Sequence, residues 1–478
     1  MADYEQYDNP LVTRYASRTM SAVFSPQRKH STWRRLWLTL AESQKELGLA
    51  ITDAQLAEMR AHLDDIDFAE AERLEAQFRH DVMAHVHAFG AQCPTARPII
   101  HLGATSCYVT DNADLIAMRE GLGLLRAKLV NLLDALARFA AEHRALVTLG
   151  FTHFQPAQPT TVGKRACLWL YDFVLDYEEI VRVSEWLPFR GAKGTTGTQD
   201  SFLELFEGNH AKVRKLDALV ARQMGFRHVV PVSGQTYTRK IDTTVLNALV
   251  GIAQSAAKMS NDVRLLQHLQ EVEEPHEKTQ IGSSAMPHKR NPMRSERIGS
   301  LARHLIATAL TAPLTAATQW LERTLDDSAG RRIAIPEAFL AADAILLIAT
   351  NVARGLVVHP KVIEARLRRE APFMATERLL MAAVKAGGDR QQLHERLRQH
   401  AWEARRRMTE EGLESDLIER LKADEAFAAV RDRVDALAGG QQLAGRAPQQ
   451  VDEFLRRVVQ PILTREASLL GLDSRLTR

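Results

Sequence analysis

The chain has 478 residues and only three cysteines, Cys93, Cys107 and Cys167. An odd number with no CxxC and no Cys/His metal spacing argues against a disulfide framework and against a zinc site, and fits the reduced thiols of a cytoplasmic protein. Charge of one sign is also lacking. Lys plus Arg total 62 against 59 Asp plus Glu, and the net +3 is spread evenly, so neither a nucleic-acid partner nor a polybasic membrane contact is expected. An anionic ligand must therefore be met by a local cluster. The opening "MADYEQYDNP" has no basic or apolar leader region, and the most apolar later run, "AFLAADAILLIATNVA", is short and carries Asp343 and Asn351; the expectation is no signal peptide and no membrane span. Internal repeats, low-complexity tracts and strong strand signals are missing too.

Helical periodicity is abundant. Between residues 111 and 143, Leu115, Met118, Leu122, Leu125, Leu129, Leu132, Leu136 and Phe139 recur at alternating spacings of three and four, the seam of a long bundle helix. Val245, Leu249, Ile252, Ala256, Met259, Val263 and Leu266 repeat the pattern, with Asp242 and Thr243 as expected N-terminal caps and small residues that permit close helix approach. Such seams favour helix-on-helix packing. The predicted fold is mainly α, in three parts: an N-terminal mixed helical domain (1–110), a central long-helix bundle (111–364) and a C-terminal helical domain (365–478). "RHVVPVSG" and "RALVTLGF" are the candidates for small hairpins.

Five polar, glycine-bearing segments do not read as packing: "HLGATS" (101–106), "GFTHFQPAQPTT" (150–161), "RGAKGTTGTQ" (190–199), "SGQTY" (233–237) and "IGSSAMPHKRNP" (281–292). Each has the composition of a loop able to line a site, and each taken alone also reads as a turn. His153 stands between Thr152 and Phe154 with Gln155 and Gln158 close by, suited to carry a proton near neutral pH. His80, His85 and His87 have ligand-like spacing without an HExxH pattern, so a metal is not expected. "RGAKGTTGTQ" lacks the GxxxxGK[ST] of a phosphate loop, although its backbone could still meet an anion. In 281–292, Gly282 offers freedom, Ser283 and Ser284 hydroxyls, and Lys289 and Arg290 positive charge, the makings of a loop that closes over a substrate or of an exposed cationic connector. Ser283 could act as a base only where donors and positive charge stabilise its alkoxide. In "QWLERTLDDSAGRR", Ser328 and Arg332 share a helix face, and the Arg/Asp mixture reads either as an anion site or as solvated ion pairs.

"GSSAMPHKRNP", "HLGATS" and "TxxQPAQ" together resemble the three motifs of the fumarase/aspartase/argininosuccinate lyase superfamily. The wording of "GFTHFQPAQPTTVGKR", "KGTTGTQ", "GQTYTRK", "SSAMPHKRNPMRSER", "ERTLDDSAGRR" and "GLVVHPKVIEARLRREAPFMATE" is narrower and resembles the adenylosuccinate lyase branch in the form found in animals. His288 and Gly330 depart from that pattern, which has tyrosine and asparagine there.

The resemblance implies a three-domain helical subunit, a homotetramer with active sites shared between chains, succinyl-nucleotide substrates, and no metal or organic cofactor. It implies β-elimination of fumarate from adenylosuccinate and from SAICAR, with Ser283 as base and His153 as acid. Lys289 and Asn291 would serve the carboxylates, Thr152 the fumarate portion, and His80 and Asp81 the substrate, His80 also affecting catalysis. Arg14, Tyr15, Thr105, Ser106, Gln235, Arg297, Arg323, Ser328 and Arg332 would contact the nucleotide, and Glu296 would orient neighbouring cations. The alternatives are another lyase of the superfamily, such as an argininosuccinate lyase, and a non-catalytic crystallin-like scaffold.

Overall fold

All eight side chains of the first seam are internal: Leu115, Met118, Leu122, Leu125, Leu129, Leu132 and Leu136 are fully buried and Phe139 nearly so. In this computed structural model, which describes residues 5–277, 279–438, 443–473 and 476, they lie on one 37-residue helix, Ser106–Glu142. Burial of such side chains stabilises by roughly 1.5–3 kcal/mol each, far more than helix propensity supplies. The helix starts earlier than the seam because Thr105 is extended (φ −113°, ψ 166°) and holds the cap position.

The second seam lies buried on Lys240–His268. Asp242 and Thr243 do not cap it; Arg239 is the cap residue. Asp242 sits in the first turn, where it accepts from Tyr237 Oη (2.6 Å) and Arg331 Nε (2.7 Å). Tyr237 just upstream and Arg331 from a distant helix have taken the carboxylate that the sequence offers to the helix end.

Ser106–Glu142 packs on Val162–Trp186 and Asp327–Gly355, while Lys240–His268 packs on Met293–Ala309, Val162–Trp186 and Asp327–Gly355. These five helices form the predicted central bundle. Asp327–Gly355 is long and apolar enough to cross a membrane by length and composition, but 78% of its apolar window is buried inside the fold; it is a core helix.

"RALVTLGF" supplies the strand Val147–Thr152, paired antiparallel with Gln155–Thr161. "RHVVPVSG" makes only a single bridge, from Val229 to Phe189. A second small ribbon pairs Val272–Glu273 with Val357–Val358. Beyond the bundle, Ala375 to Val434 build a separate apolar cluster. The chain then returns, and Val451, Val459, Ile462 and Leu463 join the main core. The expected limits at 110/111 and 364/365 fall inside the helices Ser106–Glu142 and Pro360–Met374.

Candidate active site

The sequence-predicted residues gather in four places. The first is a ring where three helices begin. His80 caps Asp81–Gln92, its Nδ1 accepting from the Met83 N–H (3.2 Å) while Nε2 meets Ser106 Oγ at 3.3 Å. Asp81 accepts from Arg332 Nη2 at 2.8 Å. Burial pushes the Asp81 carboxyl up, but the Arg332 hydrogen bond and the Val82 N–H outweigh it and hold the group below the usual carboxylate range. Thr105 and Ser106 open the long helix, and next to them Cys107 Sγ donates to Gln235 Oε1 (3.6 Å). The Gln235 N–H binds the Glu322 carbonyl at 2.9 Å, which brings Arg323 alongside, and Ser328 stands in the first turn of Asp327–Gly355, four residues before Arg332. Converging N-terminal helix ends and two arginines, Arg323 and Arg332, favour an anion.

Arg323, its side chain 23% exposed, is the outer end of a buried charge chain. Its Nη1 donates to Asp327 (2.8 Å), which also accepts from Arg239 Nε (2.7 Å), and Arg239 reaches Asp111 at 3.1 Å. The side chains of Asp111, Arg239 and Asp327 are at most 2% exposed. The solvated ion-pair reading of this segment does not hold at Asp327. No sequence signal separated Asp111 and Arg239 from ordinary helix-face charges, because their pairing joins positions 128 apart.

The second place is at mid-bundle. Arg14 and Tyr15 form a single turn, Leu11–Tyr15, and the Arg297 guanidinium lies 5.4 Å from the Tyr15 ring. All three line one groove with Arg18. Ser17 anchors the turn through its N–H (2.7 Å) and hydroxyl (3.1 Å) on Asp343.

The third is the 281–292 loop. Ser283 Oγ accepts from the Met286 N–H at 3.1 Å and from the Ala285 N–H at 3.4 Å, so the hydroxyl oxygen already faces two amide donors. Asn291 Nδ2 donates to the Gly282 carbonyl (2.8 Å), which makes Asn291 a pin across the neck of the loop. A Cβ on Gly282 would fall 2.2 Å from the Lys289 carbonyl oxygen, so this neck requires glycine. Lys289 and Glu296 line the same exposed groove.

The fourth is the tip of the first hairpin. Thr152 pairs with Gln155, leaving a two-residue turn of His153 (φ 52°) and Phe154 (φ 56°). Two positive φ angles match the twist of a hairpin, and for non-glycine residues each stores on the order of 1–2 kcal/mol. Thr152 and His153 are exposed.

The first place is remote from the last two. Ser106 and the hairpin lie at opposite ends of a 37-residue helix, about 55 Å at 1.5 Å per residue. Gln235 and the Ser283 loop flank the two ends of the 29-residue Lys240–His268, about 43 Å apart by the same rise.

Other singled-out residues are structural. His85 is buried and stacks on His30 with ring centroids 3.7 Å apart. Burial first, then Arg34 and Lys29, hold His85 at about 4, and burial, His85 and Lys29 hold His30 at about 3. His87 packs against Phe78 at 4.9 Å, so His80, His85 and His87 do not converge. In "RGAKGTTGTQ", Lys193 is buried on Asp217 at 2.5 Å.

A family model described as lyase matches residues 58–306, and one described as adenylosuccinate lyase C-terminus matches residues 372–454. The chain is 54% identical over 462 residues to adenylosuccinate lyase from Saccharomyces cerevisiae, covering 96% of each chain. It is 49% identical over 479 residues to adenylosuccinate lyase from Schistosoma mansoni, covering 100% of each. Among solved structures, fumarate lyase from Mesorhizobium sp. BNC1 superposes with a TM-score of 0.81 at 24% identity, over 95% of this chain and 100% of that one, a likeness of fold. With relatives matching along its whole length, this chain belongs to the adenylosuccinate lyase family.

Proposed function

We propose that the chain removes fumarate by β-elimination from adenylosuccinate, giving AMP, and from SAICAR, giving AICAR, using general acid and base groups of its own. The end-to-end likeness to adenylosuccinate lyases carries this reading. Ser283, ionised, takes the proton from the carbon next to a succinyl carboxylate. The electron pair passes to that carboxylate, the C–N bond then breaks, and His153 returns a proton to the departing nitrogen. Each proton transfer to a positioned group is worth about 10²–10⁴-fold. The Met286 and Ala285 N–H groups on Ser283 Oγ support the role, since donors already in place stabilise an alkoxide without reorganisation. Lys289 adds positive charge for the carboxylates. Asn291 contributes by holding the loop neck, with a second amide N–H left to donate.

The nucleotide reads best against the His80, Ser106 and Arg332 ring together with the Arg14, Tyr15 and Arg297 groove. Ends separated by about 43–55 Å are too far apart for one small substrate, so the active site is shared between chains of a homotetramer. Exposed apolar surface suits that assembly: Leu168, Tyr171 and Leu175 stripe one helix at 51%, 51% and 48% exposure, and Trp320 and Leu321 are 67% and 93% exposed. Three free, buried cysteines suit the cytoplasm.

The test is to supply purified protein with adenylosuccinate and, separately, with argininosuccinate. Fumarate release from the first is expected. Turnover of argininosuccinate alone would reassign the substrate, and no release from any succinyl-nucleotide by a folded protein would favour a scaffold role.

A further inference from the structure

The two ends of the loop that bears Ser283 are tied to each other by a set of side chains outside the proposed catalytic machinery. Glu274, almost fully buried, accepts at Oε1 from the Arg294 N–H and at Oε2 from the Ser295 N–H and Ser295 Oγ, all at 2.9 Å. It thereby caps Met293–Ala309, whose own cap residue, Pro292, has no side-chain donor or acceptor. Arg294 reaches back across the loop: Nη1 donates to the Pro275 carbonyl (2.9 Å), and Nη2 to Glu277 Oε1 (2.7 Å) and Gln280 Oε1 (3.4 Å). Gln267 closes the ring from below, accepting from the Glu274 N–H (3.3 Å) and donating to the Arg290 carbonyl (2.9 Å).

A loop that must close over a substrate faces a conflict. It has to move as a whole, yet Ser283 must arrive within a fraction of an ångström of the proton it takes, since small misplacements of reacting groups cost orders of magnitude in rate. A clasp at the base resolves it by fixing where the chain leaves and re-enters, so that closure follows one path. The buried part, the Glu274 carboxylate on the Arg294 and Ser295 N–H groups, is not free to open, because a buried carboxylate stripped of its donors pays its full desolvation penalty. Glu277 is different: its side chain is 67% exposed, and when it lets go the Arg294 guanidinium keeps the Pro275 carbonyl and Gln280, so this contact is the weaker of the two.

We propose that Glu274, Arg294 and Glu277 form a hinge clasp, and that they are positioning residues acting through Ser283, with Glu274–Arg294 as the fixed pin and Arg294–Glu277 as the latch that sets loop closure. The inference rests on the role of Ser283 given above. A merely structural salt bridge would change stability and leave the rate alone; a latch changes the rate and the mobility of the loop.

The experiment compares wild type, Glu277→Ala and Glu277→Gln in three readings: kcat and KM on adenylosuccinate, thermal unfolding, and tryptic cleavage after Lys289 or Arg290 without substrate, followed by mass spectrometry. Glu277→Ala is expected to lower kcat about tenfold with KM changed less than about twofold. Cleavage within the loop should become several-fold faster while the unfolding temperature stays in place. Glu277→Gln keeps an acceptor oxygen and should restore both. Unchanged kcat and cleavage in Glu277→Ala overturn the latch, as does a lower kcat with no change in cleavage, or a loss confined to stability. If Glu277→Ala does not fold, Arg294→Lys gives the same readings with one donor of the clasp removed. A wild type that fails to turn over adenylosuccinate sinks the functional reading instead, while the cleavage comparison still decides the clasp.

Discussion

Alanine at Gly121 and alanine at Gly123 should move stability in opposite directions, although the two glycines stand on one helix two residues apart. Each replacement gains about 1 kcal/mol of helix propensity. At Gly123 the new methyl group meets nothing within 4 Å, so the gain is kept. At Gly121 it would fall 2.6 Å from Cδ1 and 2.7 Å from Cε1 of Phe339, where carbon atoms normally stand about 3.5–4.0 Å apart. The ring must therefore retreat by about 1 Å. Phe339 is fully buried, and its ring packs 5.3 Å from that of Phe24, so its retreat must displace packed neighbours. Overpacking of this kind costs about 1–3 kcal/mol. The expected net is stabilisation by about 0.5–1 kcal/mol for Gly123→Ala and destabilisation by up to about 2 kcal/mol for Gly121→Ala. Thermal unfolding of both variants at one fixed protein concentration, which holds any association constant, reads the difference. Gly121→Ala unfolding at or above the temperature of Gly123→Ala would refute the close helix contact.

Asp176 lies against Gly251, with Oδ2 buried and unpartnered among the described residues, and burial pushes its carboxyl up to about 7. Unfolded, it ionises near 4, so the native state holds an extra proton between about pH 4 and 7 and stability falls as pH rises across that window. Asp176→Asn should therefore raise the unfolding temperature at pH 8 relative to wild type and lose that advantage at pH 4; parallel curves would refute the buried proton. Ser283→Ala should lower kcat by at least about 100-fold while equilibrium binding of adenylosuccinate remains measurable, and a near-normal kcat removes Ser283 as the base. His153→Ala should be comparably impaired, and a kcat within about twofold of wild type would move the acid elsewhere.

Long seams are legible because every third or fourth apolar residue reports the same buried face, as Leu115 through Phe139 do on Ser106–Glu142. Gln155–Thr161 was not legible as a strand: Pro156 and Pro159 argue against one, and only the register with Val147–Thr152 makes it so. Asp242 misleads because a capping signal is local, whereas Arg331, 89 residues on, meets it only through tertiary packing. The family motifs named candidate site residues, but not their separation along the bundle, since distance is set by helix length between motifs and not by the motifs themselves. The two amide donors on Ser283 Oγ are backbone groups, to which side-chain reading is blind.

The central claim is an adenylosuccinate lyase whose active site joins groups that stand at opposite ends of one chain. Two variants, each inactive alone, test it most directly: His80→Ala in the ring of helix starts and Ser283→Ala in the loop. After mild unfolding and joint refolding, with mixed assemblies verified by mass, adenylosuccinate turnover should return, because some sites then draw an intact ring from one chain and an intact loop from another. Verified mixed assemblies that release no fumarate, beside a fully active wild type treated the same way, would contradict it.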